Sequence, residues 1–296
     1  MGIDLEIAAC PVCRSVGVPI FVQRDGFLGG DTEFGQRNCT QCGVYFLSPR
    51  VPELEIGRFY PKAYDWYAKP DDPALLSRIA RALGISLRRR RIVERYVKGG
   101  KLLDVGCGSG RFLATLEGGP WECHAMDTEW NDNPFFSGPF YKGWFDREPP
   151  PVRDLDAITL WHVFEHLYHP QAALDNAATL LREGGFLFLA IPDLRCVDRG
   201  LFGRYWCGWD PPRHIATYSA KAMETLLGRS NLKLVGVVPD ACSGELLAIS
   251  LDFMLRTHGF GSRLRQSLFL RALLSPLMFL LIRSGLAPAK VYVAQK

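Results

Sequence analysis

A doubly wound, mostly parallel α/β sheet behind a small metal-stapled module is the fold this sequence predicts, and three observations predict it. From Lys101 onward, short apolar runs alternate with helical patterns, the order expected of a parallel sheet with helices on both faces. The first of these runs, Lys101–Val105, contains Asp104 and enters a turn carrying Gly106, Gly108 and Gly110. Ahead of it stand two Cys-x-x-Cys pairs, Cys10/Cys13 and Cys39/Cys42. With 296 residues and 48% hydrophobic side chains, the chain can bury one large core plus an accessory module. Its net charge of +4 is too small to demand a polyanionic partner, so nucleic acid is permitted and not implied.

The cysteine pairs come first. Two tight turns each offering two thiolates close a tetrahedral four-sulfur zinc site, which leaves no open position for catalysis, so this metal is structural. A redox pair would need a strand-to-helix turn, whereas these pairs flank the short strand-like runs Ile20–Gln23 and Val44–Leu47. So few apolar residues precede position 50 that this zinc ribbon needs its metal to fold. The other five cysteines (Cys107, Cys123, Cys196, Cys207, Cys242) fall in apolar or turn segments and are expected to be reduced and buried. The N-terminus lacks a basic region followed by a long apolar core, so a cytosolic protein is expected.

Pro49 and Pro52 then lead to an aromatic stretch, Tyr60-Pro-Lys-Ala-Tyr64-Asp-Trp66-Tyr67, which suits either a pocket lid or interdomain packing. A helix follows. Ile85, Ile92, Val93 and Tyr96 give it an apolar stripe, and Arg88-Arg-Arg-Arg91 is expected to form a solvated edge, with an RNA or phosphate contact as the sharper alternative. Three segments are therefore expected: the zinc ribbon at 1–50, a helical linker or lid at 51–100, and the main domain at 101–296, with an apolar helical insertion at 250–286.

Strands are expected near Lys101–Val105, Glu122–Met126, Pro139–Lys142, Ala157–Leu160, Phe186–Ile191, Lys233–Val238 and Val291–Ala294. In such sheets ligands bind at the carboxyl ends of the strands, where the order reverses. A dinucleotide turn of the G-x-G-x-x-G type would place its third glycine at position 111, which is Arg111. The run Asp104-Val-Gly106-Cys-Gly108-Ser-Gly110 instead resembles the first motif of class I S-adenosylmethionine-dependent methyltransferases, D/E-x-G-x-G-x-G. Asp127, 23 residues after Asp104, stands where a carboxylate can accept hydrogen bonds from both ribose hydroxyls. The resemblance implies S-adenosylmethionine as cofactor, a seven-stranded Rossmann-like sheet, and cofactor contacts at Asp104, Gly106, Cys107, Gly108, Gly110, Asp127 and Trp161, with Phe145 as an aromatic wall for the adenine.

The fourth run leads into Trp161-His-Val-Phe-Glu-His-Leu-Tyr-His-Pro170, which resembles the "hxxxEHL…P" segment of small-molecule and sugar methyltransferases. With the four cysteines in front, the chain resembles zinc-containing methyltransferases of deoxysugar and cell-surface polysaccharide pathways. That resemblance implies a sugar, nucleotide sugar or glycan acceptor. The sugar C-methyltransferases of that group carry a further C-terminal domain that this length does not accommodate, so oxygen is the expected acceptor atom. Glu165 and His166 match the family's Glu-His pair, and His214, in Trp209-Asp-Pro-Pro-Arg-His214, is the second candidate base. His162 and His169 are weaker candidates. Asp210-Pro-Pro-Arg213 also resembles the tetrapeptide of enzymes that methylate base amines, but follows the fifth strand instead of the fourth. The competing readings are an RNA methyltransferase, from the zinc ribbon and the arginine run, and an inactive zinc-binding adaptor, which the intact glycines and Asp127 oppose. In residues 264–286 the longest uncharged run, Ala272 to Ile282, is too short to span a bilayer and holds Pro276; a packed helix pair is expected, or an interfacial helix with Arg265, Arg271 and Arg283 at the headgroups.

Overall fold

The computed structural model describes residues 4–60, 75–129, 135–240, 245–258 and 286–296, with isolated positions at 276, 280, 283 and 284. The aromatic stretch beyond Tyr60 lies outside the described residues. So does Cys242, and so, apart from the isolated positions and its end, does the apolar segment 264–286. No described helix is long and apolar enough to cross a membrane.

All seven expected strands of the main sheet form: β4 (Gly100–Val105), β5 (Trp121–Asp127), β6 (Phe140–Lys142), β7 (Leu155–Trp161), β8 (Leu181–Pro192), β10 (Lys233–Pro239) and β11 (Ala289–Gln295). Their order is β10-β11-β8-β7-β4-β5-β6. The strands pair in parallel except around β11, which runs antiparallel to both β8 and β10. The order reverses between β4 and β7, which opens the crevice at their carboxyl ends.

Each strand alternates its apolar residues between two layers. Leu103, Val105, Ile158, Leu160, Leu187 and Leu189 belong to one core with residues of α3 (Pro170–Leu180) and α5 (Ala220–Arg229). Leu102, Ala157, Phe188, Ala190, Val291 and Val293 belong to the other, with Ile92 and Val93 of α1 (Leu75–Tyr96) and Phe112 and Leu113 of α2 (Arg111–Ala114). Two buried faces explain why the strands read as continuous apolar runs. Pro170 at the first position of α3 and the Ser219 Oγ cap on Ala222 N start their helices where backbone N–H groups would otherwise lack partners.

The arginine run departs from expectation. Arg88 and Arg91 are exposed, but Arg89 reaches Asp240 at 2.9 Å and lies 4.8 Å over the Trp161 ring, and Arg90 bonds Glu94 and the Thr115 carbonyl. Helical spacing turns two of four consecutive side chains inward, so the run is not a uniform solvated edge.

The cysteine module builds a second, antiparallel sheet in the order β1-β2-β3-β9. β1 (Val18–Gln23) contains the expected run Ile20–Gln23 and β3 (Tyr45–Leu47) all but the first residue of Val44–Leu47; β2 (Phe34–Asn38) and β9 (Ala216–Thr217) are additional to the expected strands. β9 comes from the far side of the chain, pairing Tyr45 with Thr217 and Phe46 with Ala216. Cys10, Val12, Cys39, Val44 and Phe46 share one core with the α3/α5 face of the main sheet.

Candidate active site

At the carboxyl end of β4 the three glycines all take left-handed backbone angles, with φ of 68°, 53° and 75° at Gly106, Gly108 and Gly110. Gly106 has a second constraint, since a Cβ there would lie 2.2 Å from Val163 Cγ2. The turn is tied to the next strand by Gly106 N–H and Cys107 N–H, which both donate to the Met126 carbonyl. Asp127, at the end of β5, accepts from Gly108 N–H at 2.9 Å and from Thr128 N–H at 2.7 Å. Burial raises its pKa and outweighs those backbone donors. Asp104 is buried, accepts a hydrogen bond from the Thr159 hydroxyl at 2.6 Å, and is pushed up to about 7 by burial, against the Thr159 bond and the Arg89 charge. Trp161 ends β7 beside β4, its ring edge-on to Phe112 at 5.2 Å, and its buried indole N–H has no partner among the described residues. Bare glycine backbone, a strand-end carboxylate and a spare buried donor at one crevice fit an adenosyl ligand with hydroxyls to bind and polar edges to satisfy.

Phe145 is not brought to this crevice as an open wall. It is buried in the α3/α5 core, where its carbonyl accepts from Asn176. The turn after β6 is stitched to α3, and Asp146 there accepts from the His169 backbone N–H. His169 itself is exposed and pairs with Glu53.

Glu165, His166 and His214 do come together: one ligand-capable atom from each lies within 4.8 Å of the others. Glu165 and His166 sit in a single helical turn directly after β7, and His214 arrives from the segment before β9. The rings of His166 and His214 meet edge to face, 4.6 Å apart. Glu165 is fully buried. Burial opposes its ionisation, but the hydrogen bond from His162 and the charges of His162, His214 and His166 prevail and lower its pKa to about 2. His166 is also lowered, to about 4, by burial and by His214, against the pull of Glu165 and Asp210, which disfavours its charged form. Near pH 7 it is neutral.

Sequence reasoning missed the frame around these residues. His162, in a left-handed conformation at φ 59°, bridges Glu165 Oε1 at 3.2 Å and Asp240 Oδ2 at 3.1 Å, and Arg89 pairs with Asp240 in turn. Arg213 is fully buried and forks onto two carboxylates: Asp25 at 2.8 Å through both terminal nitrogens, and Asp210 at 2.9 and 2.5 Å. Tyr60 OH lies 2.8 Å from His166 Nδ1. The only sequence signals were positional: Asp240 follows a strand end, and Arg213 immediately precedes His214.

The four cysteine sulfurs also converge within 4.8 Å, with contacts of 3.4 Å (Cys10–Cys42), 3.3 Å (Cys13–Cys39) and 3.8 Å (Cys13–Cys42). Tetrahedral zinc with bonds of about 2.3 Å separates its sulfurs by about 3.8 Å. The thiols fit it, and Ser15 Oγ, 3.0 Å from Cys39 Sγ, can donate to a thiolate there.

Comparison with known proteins shows the family of the chain. The sequence profile of a family described as a methyltransferase domain matches residues 74–237, more than half of the chain. The chain belongs to the methyltransferase domain family. Solved structures agree on the fold. A SAM-dependent methyltransferase from Archaeoglobus fulgidus superposes with a TM-score of 0.50 at 15% identity, covering 76% of this chain and all of that one. The 1,6-didemethyltoxoflavin-N1-methyltransferase of Burkholderia thailandensis, solved with S-adenosylhomocysteine, gives 0.51 at 12% identity, covering 95% and 99%. A SAM-dependent methyltransferase from Thermotoga maritima gives 0.51 at 14%, covering 81% and 97%. No match is found among curated proteins. This methyltransferase is thus an S-adenosylmethionine-dependent enzyme, with a four-cysteine module that fits structural zinc packed beside its main sheet.

Proposed function

We propose that this methyltransferase transfers a methyl group to a hydroxyl oxygen of a sugar, nucleotide sugar or glycan precursor. The observation that carries the reading is the convergence of Glu165, His166 and His214 on the turn after β7, next to the donor crevice. S-adenosylmethionine, when bound, supplies an electrophilic sulfonium methyl. Gly106, Gly108, Asp127 and Trp161 would hold it, and what remains for the chain is to place the acceptor and remove its proton. Placement contributes most. A hydroxyl holds its proton too tightly to react unaided near pH 7, whereas an unprotonated amine needs no such help. A neutral His166, an ionised Glu165 and His214 on one spot are therefore groups for an alcohol.

The arginines support this reading over RNA. Arg89 and Arg90 have partners within the protein, which leaves Arg88 and Arg91 as the exposed members of the run. The test is transfer of labelled methyl from S-adenosylmethionine to a panel of nucleotide sugars, free sugars and transcribed RNA. The expected product is a sugar methyl ether, with turnover about 100- to 10,000-fold lower in His166→Ala and donor affinity unchanged. Label in RNA with none in any sugar overturns the reading.

A further inference from the structure

We propose that Glu165, His166 and His214 form a divalent transition-metal site, in which two imidazole nitrogens and one carboxylate oxygen hold a cation whose remaining positions face the acceptor. This rests on the reading that the cluster faces the acceptor, and it sharpens that reading: the three lone pairs act together through an ion.

The argument starts from where the protons are. His166 Nδ1 lies 3.0 Å from the Arg213 carbonyl oxygen, and His214 Nδ1 lies 2.8 Å from that of Gly208. A carbonyl only accepts, so at His214 Nδ1 carries hydrogen and Nε2 keeps a lone pair; His166 Nδ1, which also meets Tyr60 OH at 2.8 Å, leaves its Nε2 bare in the same way when it donates to these two oxygens. Anchoring one ring nitrogen to the backbone and leaving the other bare is the arrangement that fixes metal-binding histidines.

The carboxylate tells the same story. Glu165 is fully buried; His162 occupies Oε1, while Oε2 is buried with no hydrogen-bond partner among the described residues. A buried carboxylate oxygen without a donor is costly. One acceptor hydroxyl brings one proton and can satisfy one of the three lone pairs, whereas a cation satisfies all three. The donors stand within 4.8 Å of one another. Both histidines are partly exposed, which leaves a side open to a further ligand.

Two imidazoles and a carboxylate select first-row divalent metals over magnesium or calcium, while four thiolates favour zinc. A cation here would polarise a hydroxyl bound beside it, so that the O–H bond breaks and the proton passes to water. The two centres are chemically distinct, and manganese separates them.

Zinc-replete protein titrated with Mn2+, with free Mn2+ read by electron paramagnetic resonance, is expected to bind one Mn2+ per chain beyond its zinc. His214→Ala and Glu165→Gln should each weaken that binding by about 100-fold or more. Zinc content and the melting shift with S-adenosylmethionine should stay unchanged, which reports that both variants are folded. His214 is partly exposed, so its variant keeps the test open if Glu165→Gln unfolds. Wild-type protein that takes up no Mn2+, Co2+ or second Zn2+, or variants that bind Mn2+ as tightly as wild type, overturn the site. If no cation binds while turnover on sugars still depends on His166, the metal site falls and the proposed reaction stands. If Mn2+ binds at these residues and no sugar is methylated, the site stands and the proposed reaction falls.

Discussion

The proposed donor crevice and the proposed acceptor cluster lie at the carboxyl ends of neighbouring strands of one sheet, yet the chain builds them in opposite ways. Asp104, Gly106, Gly108, Gly110 and Asp127 come from one strand–turn–helix–strand unit, and their geometry is set by local conformation: left-handed glycines and a carboxylate capping the turn. The acceptor cluster is assembled from distant segments. Glu165 N-terminal neighbours fix its turn, but its carbonyl accepts from Ile215 N–H, Ile215 gives its own carbonyl to Leu47 N–H, and Arg213 bridges Asp25 and Asp210. The cysteine module is thereby bonded to the proposed acceptor half through Leu47 and Asp25. One half can be damaged without the other.

The sharpest way to break this pairing is to remove the zinc. Cys39→Ser should abolish metal retention and methyl transfer, while calorimetry still finds S-adenosylmethionine bound at close to wild-type affinity. Loss of both together would mean that the halves are not separable.

Next in size is Arg213→Ala. It leaves Asp25 and Asp210 buried without their cation, and breaking such a pair costs about 3–5 kcal/mol. Chemical denaturation should show it, with the Asp25 loop the first to lose protection in hydrogen exchange. An unchanged midpoint would show that the bridge contributes nothing.

The donor half has its own probe. Asp127→Ala should weaken S-adenosylmethionine binding by about 10- to 100-fold, equivalent to about 1.4–2.7 kcal/mol, and leave zinc content intact.

The smallest effect concerns pH. Burial raises Asp104 from an ordinary carboxylate value to about 7, so the folded state holds a proton that the unfolded chain releases. Stability from this group is complete below about pH 4 and is lost as pH rises through 7. Asp104→Asn cannot ionise, so it should lose about 1.4 kcal/mol less than wild type between pH 6 and pH 8.5, as measured by urea unfolding. Parallel pH profiles would show that Asp104 keeps its charge.

The same contrast explains what could be read from the sequence. Seven strands and the glycine turn were legible because apolar runs and glycine spacing encode them locally. Phe145 was harder to place because an aromatic after a strand looks alike whether it lines an open crevice or, as here, is buried in the core that α3 and α5 share. β2, Phe-Gly-Gln-Arg-Asn, is too polar to announce a strand, and two-residue β9 exists only because β3 offers it an edge. The fork from Arg213 to Asp25 links positions 188 residues apart, which no local pattern contains. Arg89 looked like one member of a charged run, and only the fold reveals that it faces Asp240.

The borrowed strand also bears on how the chain is made. β9 closes the small sheet with Ala216 and Thr217, and the partner of Asp25 is Arg213. During synthesis, about 170 residues must be added after β3 before either arrives, roughly 10–35 s at 5–20 residues per second. For that interval the module has an open edge, an unpaired acid and four thiols near the surface. Zinc bound by the four thiols during that interval would keep them from pairing wrongly before the rest of the enzyme exists to cover them.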